Sequence, residues 1–185
     1  MSVPGPIVLP HHGIWPRIAE DAFVAPGVFV GGEVTIGSLT SIWPASVLRG
    51  DVNSIWIGAR TNIQDATVIH GSGGSSPTVI GDEVTVGHHC LIHSCTLEDR
   101  SFIGMRATVM DNAVVETGAM VAAGALVTSG KRVPAGELWA GSPAKKMRDL
   151  TPDEIAGFQA VIERHVNHAK VYSETIRDLD ATSRR

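Results

Sequence analysis

Aliphatic side chains recur every six residues along most of the chain. The first run lasts from Ile18 to Leu48, and the spacing returns after each of three interruptions. The nineteen positions that keep this spacing are Ile18, Val24, Val30, Ile36, Ile42, Leu48, Ile57, Ile63, Ile69, Ile80, Val86, Ile92, Leu97, Ile103, Val109, Val115, Val121, Val127 and Val133. Four residues after most of them comes a second small or branched residue, such as Ala22, Thr40 or Ala107. Neither the 3.6-residue period of a helix nor simple strand alternation explains a period of six.

A parallel β-helix explains this period. Each hexapeptide supplies one short strand, three strands complete a triangular coil, and the coils stack at about 4.8 Å. The aliphatic residue points inward, the small residue fits the tapering interior, and glycines turn the corners. Nineteen hexads predict about six coils, in an all-β fold. The alternative, a β-sandwich, would show alternating faces and a turn signal about every 8–12 residues.

The interruptions mark insertions in the wall of the β-helix. Three extra residues lie between Leu48 and Ile57, at residues 52–54, and one residue is missing between Ile92 and Leu97. Five more are added between Ile69 and Ile80, where the glycine- and serine-rich residues 71–77 predict a loop that leaves the wall.

The repeat ends after Val133, and a helix is predicted beyond it. Residues 141–146 are interpreted as a polar exit from the β-helix. Thr151 is a candidate N-cap, with Pro152 in the first turn and Glu154 in place to close a capping box. Apolar residues then follow at spacings of three and four, typical of an amphipathic helix. The predicted organisation is a β-helix domain over residues 1–148, and a C-terminal amphipathic α-helix with a short tail over residues 149–185.

Composition narrows the class of protein. Charged residues make up 18% of the chain and the net charge is −4, so a basic surface for nucleic acid or anionic lipid is not expected. No apolar run is long enough to span a bilayer, and the first residues lack the pattern of a secretion signal. Two cysteines make a disulfide framework implausible. We therefore expect a soluble, cytoplasmic protein with no membrane or nucleic-acid partner.

The six-residue register brings two distant histidines together. His70 and His93 each follow an inward isoleucine on the same face, in successive coils, so they should form a column with Arg49. Two imidazoles one coil apart can approach a common metal ion. His88 lies near the preceding corner, and one side of a coil is at most ~20 Å long, so one metal cannot bridge both corners. Either His88 plays no part, or it comes from another subunit, as a cyclic trimer would allow.

The same register places three more polar residues one coil away from these histidines. Gln64 lies one coil from His88 and should accompany it to a subunit contact. Arg49 and Asp51 lie one coil from His70, where an Arg–Asp pair could fix the register of the trimer or brace the site.

These motifs resemble the γ-class carbonic anhydrases. The resemblance covers about residues 10–147 and is carried by the histidines His70, His88 and His93, by Leu48-Arg49-Gly50-Asp51, and by Thr61-Asn62-Ile63-Gln64-Asp65. It implies a left-handed β-helix, a homotrimer, and Zn²⁺ bound by His70 and His93 of one subunit and His88 of its neighbour. It further implies that a metal-bound hydroxide converts CO2 to bicarbonate.

The resemblance also implies roles for other residues. Gln64 would hydrogen-bond the metal-bound solvent, Asn62 and Tyr172 would shape the CO2 pocket, and Arg49 with Asp51 would stabilise the interface. The chain departs from the family pattern at Val52, where active members can carry Glu, and in residues 71–77, which contain no acidic side chain. Proton transfer would then depend on another group, such as His89 or buffer.

Other functions stay open at this stage. Hexapeptide repeats also occur in acyltransferases, which need one catalytic histidine as a base. A metal-dependent acyl-CoA thioesterase or a non-catalytic trimeric scaffold stapled by the metal would fit the same histidines. Three histidines also suit Fe²⁺ or Co²⁺.

Overall fold

The computed structural model describes residues 3–183, and most of them build a left-handed parallel β-helix. Its short strands stack in three columns, one for each face of a triangular coil. Face one consists of β3 (Phe23–Val24), β5 (Ser41–Ile42), β7 (Asn62–Ile63), β10 (Thr85–Val86), β13 (Phe102–Ile103), β16 (Met120–Val121) and β19 (Glu137–Gly141).

Two long strands bend around the corner between the other faces, β4 (Phe29–Ile36) and β6 (Val47–Ile57). Their first halves belong to face two, together with β1 (Ile7–Leu9), β8 (Val68–His70), β11 (Leu91–His93), β14 (Thr108–Val109) and β17 (Leu126–Val127). Their second halves belong to face three, together with β2 (Arg17–Ile18), β9 (Thr78–Ile80), β12 (Thr96–Leu97), β15 (Val114–Val115) and β18 (Arg132–Val133).

The predicted hexad positions form the core. From Val30 to Val133 each of them is at most 3% exposed, and Ala107, Ala113 and Ala119 are completely buried beside them. The predicted β-helix is confirmed, with about seven turns instead of about six. The additional turn arises because β1 stacks on β4 before the first hexad, and β19 continues face one after the last.

Glycine turns the corners in only part of the molecule. Gly118, Gly124 and Gly130 adopt the expected left-handed conformation, but ordinary residues such as Ala66 and Arg106 adopt it in the earlier coils. This conformation costs a non-glycine residue roughly 1–2 kcal/mol, which the stacking of the coils must offset.

The insertions lie where the interruptions predict them. Gly32 pairs with Gly50 and Val34 with Ile55, so four residues of β6 stand opposite Glu33 alone. This is the three-residue excess at 52–54, and it stays within the strand as a bulge. Residues 71–77 leave the wall between β8 and β9, as expected.

The chain leaves the β-helix through a strand, which the sequence did not predict. β20 (Ala144–Asp149) pairs antiparallel with β19, so part of the segment interpreted as a polar exit, residues 141–146, is a strand, although it is mostly exposed. Helix α1 (Pro152–Ser183) follows. The expected capping box is present: the Thr151 hydroxyl accepts from the Glu154 amide, and the Glu154 carboxylate accepts from the Thr151 amide. The tail expected over residues 180–185 is therefore helical as far as residue 183, and residues 184–185 lie outside the described part of the chain.

Helix α1 packs along face one of its own β-helix. Its neighbours there are β3, β5, β7 and β10. Phe158 stacks on Phe102 with ring centroids 5.0 Å apart, and Ile162 is 1% exposed. Between residues 3 and 183, no helix combines the length and the apolar character that crossing a membrane requires.

Candidate metal centre

His70 and His93 lie side by side at the corner where face two ends. β8 and β11 pair in parallel so that His93 stands opposite His70, and the ring centroids are 5.4 Å apart. Ile69 and Ile92 point into the core and are fully buried, so the next residue of each strand turns outward. The register therefore brings the two histidines together, as the six-residue period predicts.

Asp51 contacts His70 and Arg49 at once. Its Oδ1 lies 3.1 Å from His70 Nε2, and its Oδ2 accepts a hydrogen bond of 2.6 Å from Arg49 Nη1. Burial alone would raise the pKa of Asp51, but hydrogen bonds from Arg49 and His70 together with the Arg49 charge lower it below its usual value. Asp51 is thus an ionised acceptor that holds the His70 ring.

Asp111 holds His93 in a comparable way, and sequence reasoning missed it. Its Oδ2 lies 3.0 Å from His93 Nδ1, and both side chains are mostly shielded from solvent. The signal for this contact is weak in the sequence, because Asp111 follows Val109 by two residues whereas His93 follows Ile92 by one. The two side chains meet diagonally across neighbouring coils.

His88 lies at the other corner of face two, after β10. Its Nδ1 is 2.8 Å from Asp65 Oδ2, and both side chains are largely exposed. Asp65 and His88 occupy the same place in successive hexads, two residues after Ile63 and Val86, so the register could have predicted this pair. Each of the three candidate ligands therefore contacts one carboxylate.

Gln64 and Asn62 form a buried pair on face one. Gln64 Nε2 donates to Asn62 Oδ1 at 3.0 Å, and Asn62 Nδ2 donates to Thr85 Oγ1 at 2.9 Å. Asn62 alternates with the inward Ile63 and points outward, yet it is only 1% exposed. The amide of Gln64 is therefore held in a fixed orientation, with Nε2 engaged.

Tyr172 belongs to an aromatic cluster under helix α1. Its ring lies 5.7 Å from Trp43 and 6.3 Å from Phe23, centroid to centroid, and it remains 55% exposed. His165 packs against the same Trp43 at 5.8 Å. Burial, and then the positive charges of His168, Arg164 and His88, lower the pKa of His165. Helix α1 also contacts β10, which ends two residues before His88, so the helix passes near that corner.

The two insertions bond to each other beside His70. Asn53 Nδ2 donates to the carbonyl of Ser75 at 2.8 Å, and the Ser72 amide donates to Ser94 Oγ, also at 2.8 Å. Val52, in the first insertion, is exposed. Across residues 3–183 of a single chain, no three His, Cys, Asp or Glu side chains are arranged to hold a metal ion.

Comparison with known proteins gives a consistent set of relatives. A carbonic anhydrase of Geobacillus kaustophilus is 44% identical over 166 residues, which cover 90% of this chain and 91% of that protein. The mitochondrial gamma carbonic anhydrase 2 of Arabidopsis thaliana is 50% identical over 163 residues, which cover 85% of this chain but 59% of the plant protein. The chain thus spans about three fifths of the length of that relative.

A solved structure shows a similar level of sequence identity to this chain. A hexapeptide transferase family protein from Anaplasma phagocytophilum is 46% identical and superimposes with a TM-score of 0.87, over 90% of this chain and 98% of that one. No family model matches the chain.

Proposed function

The chain belongs to the γ-class carbonic anhydrase family, and on that premise we propose that it is a homotrimeric zinc enzyme that interconverts CO2 and bicarbonate. The observation that carries the proposal is the register pairing of His70 with His93, each held by its own carboxylate.

These two histidines fit a metal ion. One ring nitrogen of each faces a carboxylate, which leaves the other nitrogen for coordination, the arrangement usual for metal-ligating histidines. Neutral imidazole is a preferred ligand of Zn²⁺, and Fe²⁺ or Co²⁺ would accept the same set.

The third ligand in our proposal is His88 of a neighbouring subunit. A catalytic zinc site uses three protein ligands and keeps one position open. His88 has the same kind of carboxylate partner as the other two histidines but lies at the opposite corner of face two. We propose that Arg49 supports this contact through Asp51.

The surface of face two supports a trimer. Both ends of this face carry site residues, so three chains that turn face two toward a common axis would bring each His88 corner to the His70–His93 corner of the next chain. The outward row of this face is largely apolar; it consists of Ile7, Phe29, Val47, Val68, Leu91, Thr108 and Leu126. Face one is covered by α1, and the corresponding row of face three begins and ends with Arg17 and Arg132.

The chemistry divides between the metal and the chain. Zn²⁺ at this site would lower the pKa of bound water to about 7, which supplies a nucleophile near neutral pH. Because Gln64 Nε2 donates to Asn62, Gln64 Oε1 is left to accept a hydrogen bond from solvent at the site and to orient it. Asn62 fixes that orientation, and we propose that Tyr172 forms part of the wall of the CO2 pocket.

An acyltransferase is the second candidate, and the name of the Anaplasma structure favours it. A transferase of this kind needs one histidine as a base, and paired histidines with a carboxylate each serve no purpose in it. The carboxylate-braced pair therefore favours the metal enzyme.

The test is CO2 hydration by stopped flow on protein of assayed zinc content, with acyl-CoA hydrolysis measured alongside. We expect hydration that scales with zinc content, and loss of both zinc and activity in His93→Ala. His11→Ala, a change in an exposed histidine before the repeat, is the control and should retain both.

The remaining outcomes overturn the proposal in different ways. Acyl-CoA turnover without CO2 hydration would establish a thioesterase or transferase. Zinc-loaded trimer with no rate above buffer would establish a scaffold, and full zinc in His93→Ala would refute the ligand assignment.

A further inference from the structure

The loop at residues 71–77 is hydrogen-bonded to two side chains, Asp111 and Asn112, two coils further along the β-helix. Ser75 Oγ donates to Asp111 Oδ1 at 3.2 Å, and the Ser76 amide donates to Asn112 Oδ1 at 3.4 Å. On its other side the loop is held by Asn53, whose amide donates to the Ser75 carbonyl. The loop is therefore bonded on both sides to corners of the wall.

Asp111 uses its second oxygen for His93. Oδ2 lies 3.0 Å from His93 Nδ1, while Oδ1 accepts from Ser75. One carboxylate thus bonds both the loop and the His93 ring, and aspartate side chains are ordinarily ionised at neutral pH.

An ionised carboxylate dictates the tautomer of the ring that it faces. It can accept a hydrogen bond but cannot donate one, so the neighbouring nitrogen must carry the proton. In neutral His93 this places the proton on Nδ1 and leaves the lone pair on Nε2.

We propose that Asp111 is a positioning residue: it holds His93 in the Nδ1–H tautomer, with Nε2 free as a ligand, and couples the loop at residues 71–77 to the orientation of that ring. The consequence for metal binding rests on the proposed function, whereas the tautomer and the anchoring of the loop do not. Asp51 and Asp65 contact the other histidines, but within residues 3–183 neither forms a hydrogen bond to this loop.

The test uses ¹⁵N-histidine NMR of the metal-free full-length protein near pH 8, together with hydrogen exchange of the loop amides. Wild-type His93 should be protonated on Nδ1. In Asp111→Ala the ring should lose that preference, and the amides of residues 72–76 should exchange faster. Ser75→Ala keeps the carboxylate, so it should speed loop exchange while leaving the tautomer unchanged.

Zinc affinity, measured by chelator competition, gives a third readout. Asp111→Ala should weaken binding about 10–100-fold, the usual effect of removing a partner of a ligating histidine. Asp21→Ala is the matched control, because Asp21 accepts from Ser38 and Leu39 at a corner without a histidine. It should change none of the three readouts.

The outcomes separate this inference from the function on which it draws. Wild-type protein that binds no zinc would refute the metal enzyme, and the tautomer and exchange would still decide the role of Asp111. Asp111→Ala with wild-type tautomer and loop exchange would overturn the inference. Unchanged zinc affinity in Asp111→Ala, with wild-type protein binding normally, would refute its part in metal binding.

Discussion

His70 and His93 are paired in register on neighbouring coils, although they are far apart in the chain. His88, only five residues before His93, lies at a different corner. Proximity in sequence and proximity in the fold are thus reversed for these three residues. Under the proposed function, this arrangement would determine which subunit supplies each ligand.

Mixing two inactive variants tests whether neighbouring subunits share one metal site. Neither His88→Ala nor His93→Ala should retain zinc alone, but an equal mixture should regain about a quarter of the wild-type zinc. Three quarters of randomly mixed trimers contain both variants, and each of these has one intact site among three. Zinc is measured by elemental analysis after denaturation and joint refolding.

The control is a mixture of His93→Ala with the double variant His88→Ala/His93→Ala, in which no site can be complete. A zinc-free mixture of the two single variants, despite proven exchange of labelled subunits, would contradict the shared site.

The apolar row on face two predicts a variant that stays monomeric. Val68 points outward and is 38% exposed in the single chain. Val68→Lys would bury a charge at the proposed interface, so we expect a folded monomer in analytical ultracentrifugation. Its zinc affinity, measured by chelator competition, should be low. Val79→Lys makes the same change on face three and should remain trimeric. A zinc-replete trimer of Val68→Lys would rule out face two as the interface.

The departure at Val52 predicts dependence on buffer. The chain offers no carboxylate at this position or in residues 71–77, so under the proposed function the proton released in CO2 hydration would have to leave through another group. We expect kcat to rise with imidazole buffer concentration, and Val52→Glu to raise kcat several-fold at low buffer with kcat/KM little changed. Val52→Gln controls for shape. Equal kcat for the Glu and Gln variants at low buffer would count against this explanation.

The capping box of α1 predicts a loss of stability in acid. Hydrogen bonds from Arg148 and from the Thr151 backbone lower the pKa of Glu154 from 4.5 to about 2. Because the folded-state pKa is depressed, this contribution is present above pH 4.5 and is lost as pH falls toward 2.

Urea denaturation at several pH values measures the effect. Glu154→Gln should be less stable than wild type at pH 7, and the difference should shrink between pH 4.5 and 2. Glu174→Gln, on the same helix but outside the capping contacts, is the control. A difference that does not vary with pH would show that the carboxylate charge is not responsible.

The sequence predicts this fold well in the coils, where an inward-pointing aliphatic residue recurs at the same position of each hexapeptide. The inward residue of every hexad meets the same environment, so its period reveals the faces and the alignment of His70 with His93. It does not reveal β20, because the antiparallel pairing with β19 leaves the charged Lys145 and Lys146 exposed and carries no six-residue signal.

Contacts at the corners were harder to predict. Asp111 reaches His93 diagonally, and its second contact depends on the path of an irregular loop. Tyr172 was assigned to the CO2 pocket through resemblance, and the structure places its ring against Trp43 and Phe23. Its part in the pocket remains a proposal.

The row that contains the paired histidines continues in both directions. Leu48 pairs with Ile69 and Ile92 with Val109, so Arg49, His70, His93 and Met110 follow one another at the same corner. The wall offers equivalent outward positions at each level. A metal centre could therefore be moved along the axis in steps of one coil by exchanging single residues, such as Met110 for histidine. Divergence within such a protein, natural or engineered, can relocate chemistry without rebuilding the architecture that supports it.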